Sequence, residues 1–376
     1  MKIEQLVFKD AKWSVSEEKK SSETFIADIV FVFGFIETLQ KYDHSQLLKK
    51  LYPEAVIVGC STAGNILDTT LDAYDAVASA VSFEKAFVRV AATHLDENIA
   101  ENASSLIDSF QKENLKHIFV LSPGLINASD IIKGIESQLD KNITISGGLA
   151  GDEFRFKSTY LFAEAEEGED LLIAVGFYGE SLHTFVGCKT GWNEFGAART
   201  VTKSVKNVVY EIDGKPAIEL YEKYLEDKID ALPNSALRFP LSVREHIEDK
   251  NEVILVMMNI NPDKSLVYTA DIKEGSIVKL MKTNVSNLLE GASLSAQEIQ
   301  SYNTKPSLSL AISCSARRSV LKQFVDEEVE ILKETLPAHT EIIGFYSYGE
   351  IAPFSNELSK SLLHNQTMTI TTIYED

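Results

Sequence analysis

Three short stretches of this chain combine the residue types that bind or transform ligands. Residues 56–66 run from Val56-Ile57-Val58 into Gly59-Cys60-Ser61-Thr62-Ala63-Gly64-Asn65. A β-branched run that breaks into a glycine-bounded turn lets a buried strand offer backbone N–H groups and hydroxyls to a ligand. Residues 143–153 end a strand in Gly147-Gly148-Leu149-Ala150-Gly151-Asp152, and residues 342–351 repeat the glycine spacing in Gly344-Phe345-Tyr346-Ser347-Tyr348-Gly349-Glu350. The candidate ligand-binding residues are Cys60, Ser61, Thr62 and Gly64 in the first stretch and Gly147, Gly148 and Asp152 in the second. Tyr346, Ser347, Tyr348 and Glu350 come from the third, with Cys314 and Arg317 just beyond a neighbouring strand.

Catalysis fits these residues less well than recognition. Around Ser61 the pattern is G-x-S-x-A, and Ser347 lacks the leading glycine, so neither satisfies the nucleophile elbow. No catalytic residue is assigned; a hydrolase using Ser61 or Cys60 stands as an alternative. A Walker A loop fails because Asn65-Ile66 follows Gly64. Cys60 and Cys314 either flank one cleft as thiols or pack as small hydrophobes. Arg317 either holds a carboxylate with its fork of donors or pairs with the acidic run Asp326, Glu327, Glu328, leaving Arg318 as a solvated neighbour. Arg155 pairs with the Asp152 carboxylate in a structural reading of that loop.

Tyr346 and Tyr348 alternate along a strand, so their rings share one face and either wall a pocket or pack in the core. Glu350 opposite Arg317 would suit a zwitterionic ligand. Of the seven histidines, none stands in an H-x-x-x-H or Cys/His ligand set. A haem needs one axial ligand only, so spacing does not decide against it; no cofactor is assigned. His364 is expected to secure the last strand by hydrogen bonds.

The elements that must position these residues recur. Residues 28–34, 117–124 and 307–314 read as strands, the first a continuous apolar run. Each is followed by a helical stretch (44–51, 127–139 and 320–336) and then by one of the three glycine stretches. Strand, helix and strand in that order imply parallel βαβ crossovers, with ligands at the carboxyl ends of the strands. Residues 171–180 and 183–188 read as an antiparallel hairpin, 200–212 and several runs between 253 and 281 as further strands, and 216–225 as an amphipathic helix with Pro216 in its first turn. The fold class is therefore α/β, a two-domain mixed-sheet architecture with repeated βαβ-type units plus antiparallel hairpins. Its expected parts are a polar N-terminal arm at 1–23, a first domain at 24–212 and a second at 213–376.

At 376 residues the chain exceeds one ordinary core. Asp and Glu outnumber Lys and Arg by 56 to 36, for a net charge of -20, and the basic pairs are isolated. Neither nucleic acid nor an anionic membrane is an expected partner. The N-terminal segment has no signal-peptide pattern, and three widely separated cysteines suggest reduced thiols; the expected location is cytoplasmic.

The motifs together resemble the FIST family, which carries FIST N-terminal and C-terminal domains in tandem. The resemblance rests on the first two glycine stretches, on Asp213-Gly214-Lys215-Pro216-Ala217 at the join, on Ser313-Cys314 with Arg317, on the third stretch, and on His364-Asn365-Gln366-Thr367. It implies a sensory module binding a small ligand, such as an amino acid or other small carboxylate. It also implies signalling to a separate partner such as a histidine kinase, a diguanylate cyclase or other cyclic-dinucleotide enzyme, or a chemotaxis receptor. A haem-based nitric oxide sensor is the alternative that the resemblance adds. Asn65 departs from the family pattern, which has Glu there, as Glu350 does in the second domain.

Overall fold

The computed structural model describes residues 1–16, 25–140, 142–225, 232, 234–249, 252–300, 305, 307–353 and 361–376. Its N-terminal end is folded. Strands β1 (Lys2–Lys9) and β2 (Lys12–Val15) pair with each other as a hairpin. This corrects the expected polar arm at 1–23, of which residues 17–23 lie outside the described residues. Charged Lys2, Glu4 and Lys9 dilute the apolar signal of Leu6 and Phe8, both of which are buried. The turn residues Asp10 and Ala11 have φ of 52° and 59°, a tight-hairpin geometry usually announced by asparagine or glycine.

The first repeat continues through β3 (Ile29–Gly34), buried at every position as its unbroken apolar run requires. Helices α1 (Ile36–Lys41) and α2 (His44–Lys49) lead to β4 (Val56–Ser61), which lies parallel to β3. A hairpin of β5 (Asn65–Leu67) and β6 (Thr70–Leu71) follows, and β7 (Ala76–Ser82) returns antiparallel between β3 and β1.

The second repeat has the same order. β8 (Phe87–His94) and α3 (Ile99–Asp108) lead to β9 (Leu115–Ser122), and α4 (Ser129–Glu136) crosses to β10 (Thr144–Leu149), parallel to β9. β11 (Leu161–Ala163) and β12 (Glu166–Gly168) form its hairpin, and β13 (Leu171–Tyr178) returns between β9 and β8.

The third repeat opens with β14 (Leu182–Lys189) and then carries an insertion. β15 (Asn193–Val205), β16 (Val208–Ile212), β17 (Lys215–Pro216), α5 (Ile218–Leu225), β18 (Leu241–Arg244), β19 (Val253–Leu255), β20 (Met257–Ile260), β21 (Leu266–Tyr268) and β22 (Ile277–Lys282) build a separate sheet. Helix α6 (Val285–Gln300) returns to β23 (Ser307–Cys314); α7 (Ser315–Leu321) and α8 (Val325–Thr335) cross to β24 (Thr340–Ser347), parallel to β23. β25 (Gly349–Pro353) and β26 (Ser361–His364) form the last hairpin, and β27 (Met368–Glu375) returns between β23 and β14.

All three expected crossovers form, each in its own sheet, and the sheets are completed by exchange. The hairpin strand β11 adds to β4, β25 adds to β10, and β5 adds to β24. Each repeat thus supplies the edge of another in a closed cycle. A cut at 212/213 passes through three of the four sheets, because each of those holds strands from both sides of it. The hairpin expected from 171–180 and 183–188 does not form: both edges of β13 are taken by β8 and β9, so β14 pairs with β27 instead. One core touches all three repeat sheets, with the Phe31 ring 5.9 Å from Phe119 and Phe33 4.7 Å from Phe345.

Three of the repeated glycines have a structural cause. Gly59, Gly147 and Gly344 stand inside the second strand of each parallel pair, opposite Val32, Val120 and Ala311. A Cβ there would lie 2.5, 2.0 and 1.8 Å from the facing carbonyl oxygens. Close backbone approach, rather than a ligand, requires glycine at these three places.

Candidate functional site

The three segments that follow β4, β10 and β24 meet, as their positions at the carboxyl ends of parallel strands require. Ala63 N–H donates to Tyr346 O and Tyr346 N–H to Gly64 O, both at 2.8 Å; Gly151 N–H donates to Ser61 O at 2.9 Å, and Tyr348 N–H to Leu149 O at 3.2 Å. These bonds link every pair of repeats. The residues in the ring are buried, and their side chains are committed to protein partners. Ser61 Oγ donates to Gly151 O at 2.7 Å and accepts from Tyr160 N–H at 2.9 Å. Thr62 Oγ1 donates to Asn65 Oδ1 at 2.6 Å, and Ser347 Oγ donates to Glu350 three residues on, so the departure at Asn65 keeps the same local bond.

Arg317 is wholly buried. Its Nε and Nη2 donate to Glu328 Oε1, at 2.8 and 2.5 Å, and Nη2 also to Leu288 O at 2.9 Å. Its Nη1 donates to Thr190 O and to Gln366 O. All five donors of the fork have protein acceptors, so the ion-pair reading of Arg317 describes its environment. The remaining Glu328 oxygen accepts from Ser313 Oγ at 2.9 Å and from Tyr346 Oη at 2.6 Å. Tyr348 instead donates to Asp152 and stacks on Phe156 at 4.5 Å. Asp152 also accepts from the backbone N–H groups of Phe156, Lys157 and Ser158, an arrangement that fixes the loop and holds its carboxyl below the usual range.

Two neighbouring arginines behave differently from their sequence reading. Arg318, expected in solvent, crosses to the first repeat: Nη1 donates to Ala63 O, Nη2 to Asp72 Oδ2 at 2.7 Å, and its guanidinium lies 5.0 Å from the Tyr346 ring centre. A Cβ on Gly64 would stand 2.1 Å from that Nη1. Arg155 pairs with Glu37 and Glu153 and not with the Asp152 carboxylate.

The thiols and imidazoles are also enclosed. Burial pushes Cys60 and Cys314 well above the ordinary thiol range and Cys188 to about 11. His117 Nε2 meets Ser146 Oγ at 2.8 Å, and its Nδ1 meets Thr144 Oγ1 at 2.7 Å; burial pushes this ring down to about 3. That Ser–His contact, not singled out in the sequence, lies in the core with both side chains fully covered. His364 Nε2 lies 3.0 Å from Ala352 O, joining β26 to β25. Among the described residues no three His, Cys, Asp or Glu side chains group as metal ligands.

A cavity of about 980 Å³ opens elsewhere, between α4, the inserted sheet and β26. Its apolar lining includes Ile132, Val243, Leu255, Ile272, Leu362 and Leu363, and its polar lining carries both signs of charge. Lys133 Nζ bridges Asp130 at 3.0 Å and Asp271 at 2.8 Å, and the Asp271 bond raises its pKa. Asp271 also accepts from Asn127 Nδ2 at 2.7 Å, while its N–H donates to Ser129 Oγ at 3.0 Å. Lys273 pairs with Glu245 at 2.6 Å. Asp271 thus ties the N-terminal end of α4 to the insertion. None of the thirteen sequence candidates lines this cavity; its residues come from separated segments whose types are individually ordinary.

Comparison with known proteins places the chain among relatives. The FIST N domain model matches residues 28–215, and the FIST C domain model matches residues 217–353. The uncharacterized protein MJ1623 of Methanocaldococcus jannaschii is 25% identical over 394 residues, covering 92% of this chain and 74% of that protein. A crystal structure of a cyanuric acid hydrolase from A. caulinodans aligns with 93% of this chain and 90% of its own at 6% identity and a TM-score of 0.33.

Proposed function

We propose, on the premise that this chain belongs to the FIST family of sensory ligand-binding domains, that its small ligand binds in the cavity between α4 and the inserted sheet. The observation that carries this reading is that the walls come from both family domains: α4 and the β15–β16 turn from the first, β18, β19 and residues 270–276 from the second. A volume of about 980 Å³ suits a small molecule with room for water. Apolar walls with Lys133, Asp271 and Lys273 at hand complement an amino acid, whose carboxylate and ammonium each find an opposite charge, or another small carboxylate.

The ligand acts by population shift. Because Asp271 and Lys133 join α4 to the insertion, a molecule seated between them favours one closure of that junction over another. A separate partner in the cytoplasm, a histidine kinase, a diguanylate cyclase or a chemotaxis receptor, reads the change. For the haem reading, the described residues of the cavity lining include no histidine, cysteine, methionine or tyrosine to serve as an axial ligand. For the hydrolase reading, the Ser61 hydroxyl is held between two backbone groups with no general base among its hydrogen-bond partners.

A thermal-shift screen of amino acids and small carboxylates tests the proposal. A true ligand at a hundred times its Kd adds about 2.7 kcal/mol of stability. A screen in which none raises the melting temperature, or a Soret band after expression with added haem, would overturn it.

A further inference from the structure

A second, smaller cleft of about 410 Å³ lies where the β14–β15 connection, the start of α6 and the end of α7 come together. Its charged lining residues are Arg238, Lys282 and Lys322, without a carboxylate, in a chain of net charge -20. Among the described residues none of the three pairs with an acid. Arg238 Nη2 donates to Ser319 O at 3.0 Å, and the Lys282 ammonium lies 4.9 Å from the centre of the Phe195 ring. Trp192, Val320, Leu321 and Phe324 supply apolar surface. Trp192 is more than nine-tenths buried against Ile254, Met281, Leu288 and Leu321, yet its indole N–H has no acceptor among the described residues. Such a donor is costly to leave unpaired.

Unpaired cations beside an apolar wall define the complement of one ligand chemistry: an apolar body ending in an anionic group. With no carboxylate among the described lining residues, the three cations reinforce one another's field, and a low-dielectric wall strengthens it. The larger cavity differs, because its lysines stand beside Asp271 and Glu245. We infer that the cleft at Trp192 is a second binding site, for a small organic anion bearing a phosphate or carboxylate on an apolar body. It stands independently of the ligand proposed for the larger cavity.

The chain has two tryptophans, so a full-length Trp13→Phe variant leaves Trp192 as the sole indole reporter. Phenyl phosphate and benzoate are titrated while its emission is followed, with neutral phenol as the uncharged control. Saturable change with either anion, absent with phenol, is expected, and added salt weakens it. Lys282→Gln combined with Lys322→Gln should weaken binding at least about tenfold, as loss of two charge-assisted contacts implies. Lys9→Gln, at the exposed end of β1, should leave the titration unchanged. If Trp13→Phe does not fold, calorimetric titration of the natural chain with the same compounds reads the cleft as the part of anion binding that is lost in the double lysine variant. No saturable response to either anion, an equal response to phenol, or equal binding by the double lysine variant would overturn the inference.

Discussion

At the ring formed by the ends of β4, β10 and β24, polar side chains are numerous and enclosed; beside α4, they are ordinary in type and open to a cavity. Ser61, Thr62, Arg317, Tyr348 and Glu350 satisfy one another and nearby backbone, because strand exchange buries their segments and every buried polar group needs a partner. Lys133 and Asp271 bond across the seam between α4 and the insertion, and Lys273 pairs with Glu245 within the insertion, while all three line free volume. The contrast teaches that a conspicuous polar residue announces a need for partners, and only the topology says whether those partners are protein or ligand.

The largest expected effect lies in the ring. Gly344→Ala drives a Cβ to 1.8 Å from Ala311 O, and separation of β24 from β23 should destabilise the fold by at least about 3 kcal/mol in urea denaturation. A variant of unchanged stability would mean that the glycine serves something other than strand approach.

Arg317→Met comes next. It leaves Glu328 as an uncompensated buried carboxylate, at about 3–5 kcal/mol, and Glu328→Leu added to it should restore part of the loss. Wild-type stability in Arg317→Met, accompanied by loss of ligand binding, would move Arg317 from the frame to the site.

A smaller effect separates a framework carboxylate from a permanently charged one. Burial pushes Glu350 up to about 7, against the opposing hydrogen bonds of Ser347 and Thr367. Below about pH 4.5 the group is protonated in both states and contributes no pH dependence. From there to about 7 the unfolded chain releases the proton and the folded chain keeps it, so stability falls as pH rises and the loss is complete above 7. His117 and His364, pushed down to about 3 and about 4 by burial, destabilise in the opposite direction as pH falls below 6.5. The stability difference between wild type and Glu350→Gln isolates the carboxyl. The variant should gain about 2–3 kcal/mol relative to wild type between about pH 5 and 8. A flat difference would show that Glu350 is charged throughout.

Much of the frame was legible because β3, β9 and β23 are β-rich runs, the first unbroken in its apolar character, each followed by a helical stretch and a second strand, an order that a crossover satisfies. The exchange was not legible. The connecting strands β5 and β11 are three residues long and carry no period, and β13 to β14 looks like a hairpin unless the edges of β13 are known to be occupied. Adjacent Arg317 and Arg318 have identical chemistry; which one is buried follows from the packing of α7, not from residue type. The FIST resemblance was readable from the glycine stretches, yet three of those glycines answer to strand contact. The cavity had no signal of its own, since its walls are assembled from segments between residues 129 and 363.

Calorimetric titration of the compound giving the largest thermal shift tests the central claim, with Leu362→Trp filling the cavity and Ser61→Ala altering the ring. The account predicts affinity at least about tenfold weaker in Leu362→Trp, equivalent to about 1.4 kcal/mol, and unchanged in Ser61→Ala. Wild-type affinity in Leu362→Trp, with binding lost in Ser61→Ala, would contradict it and return the ligand to the glycine ring.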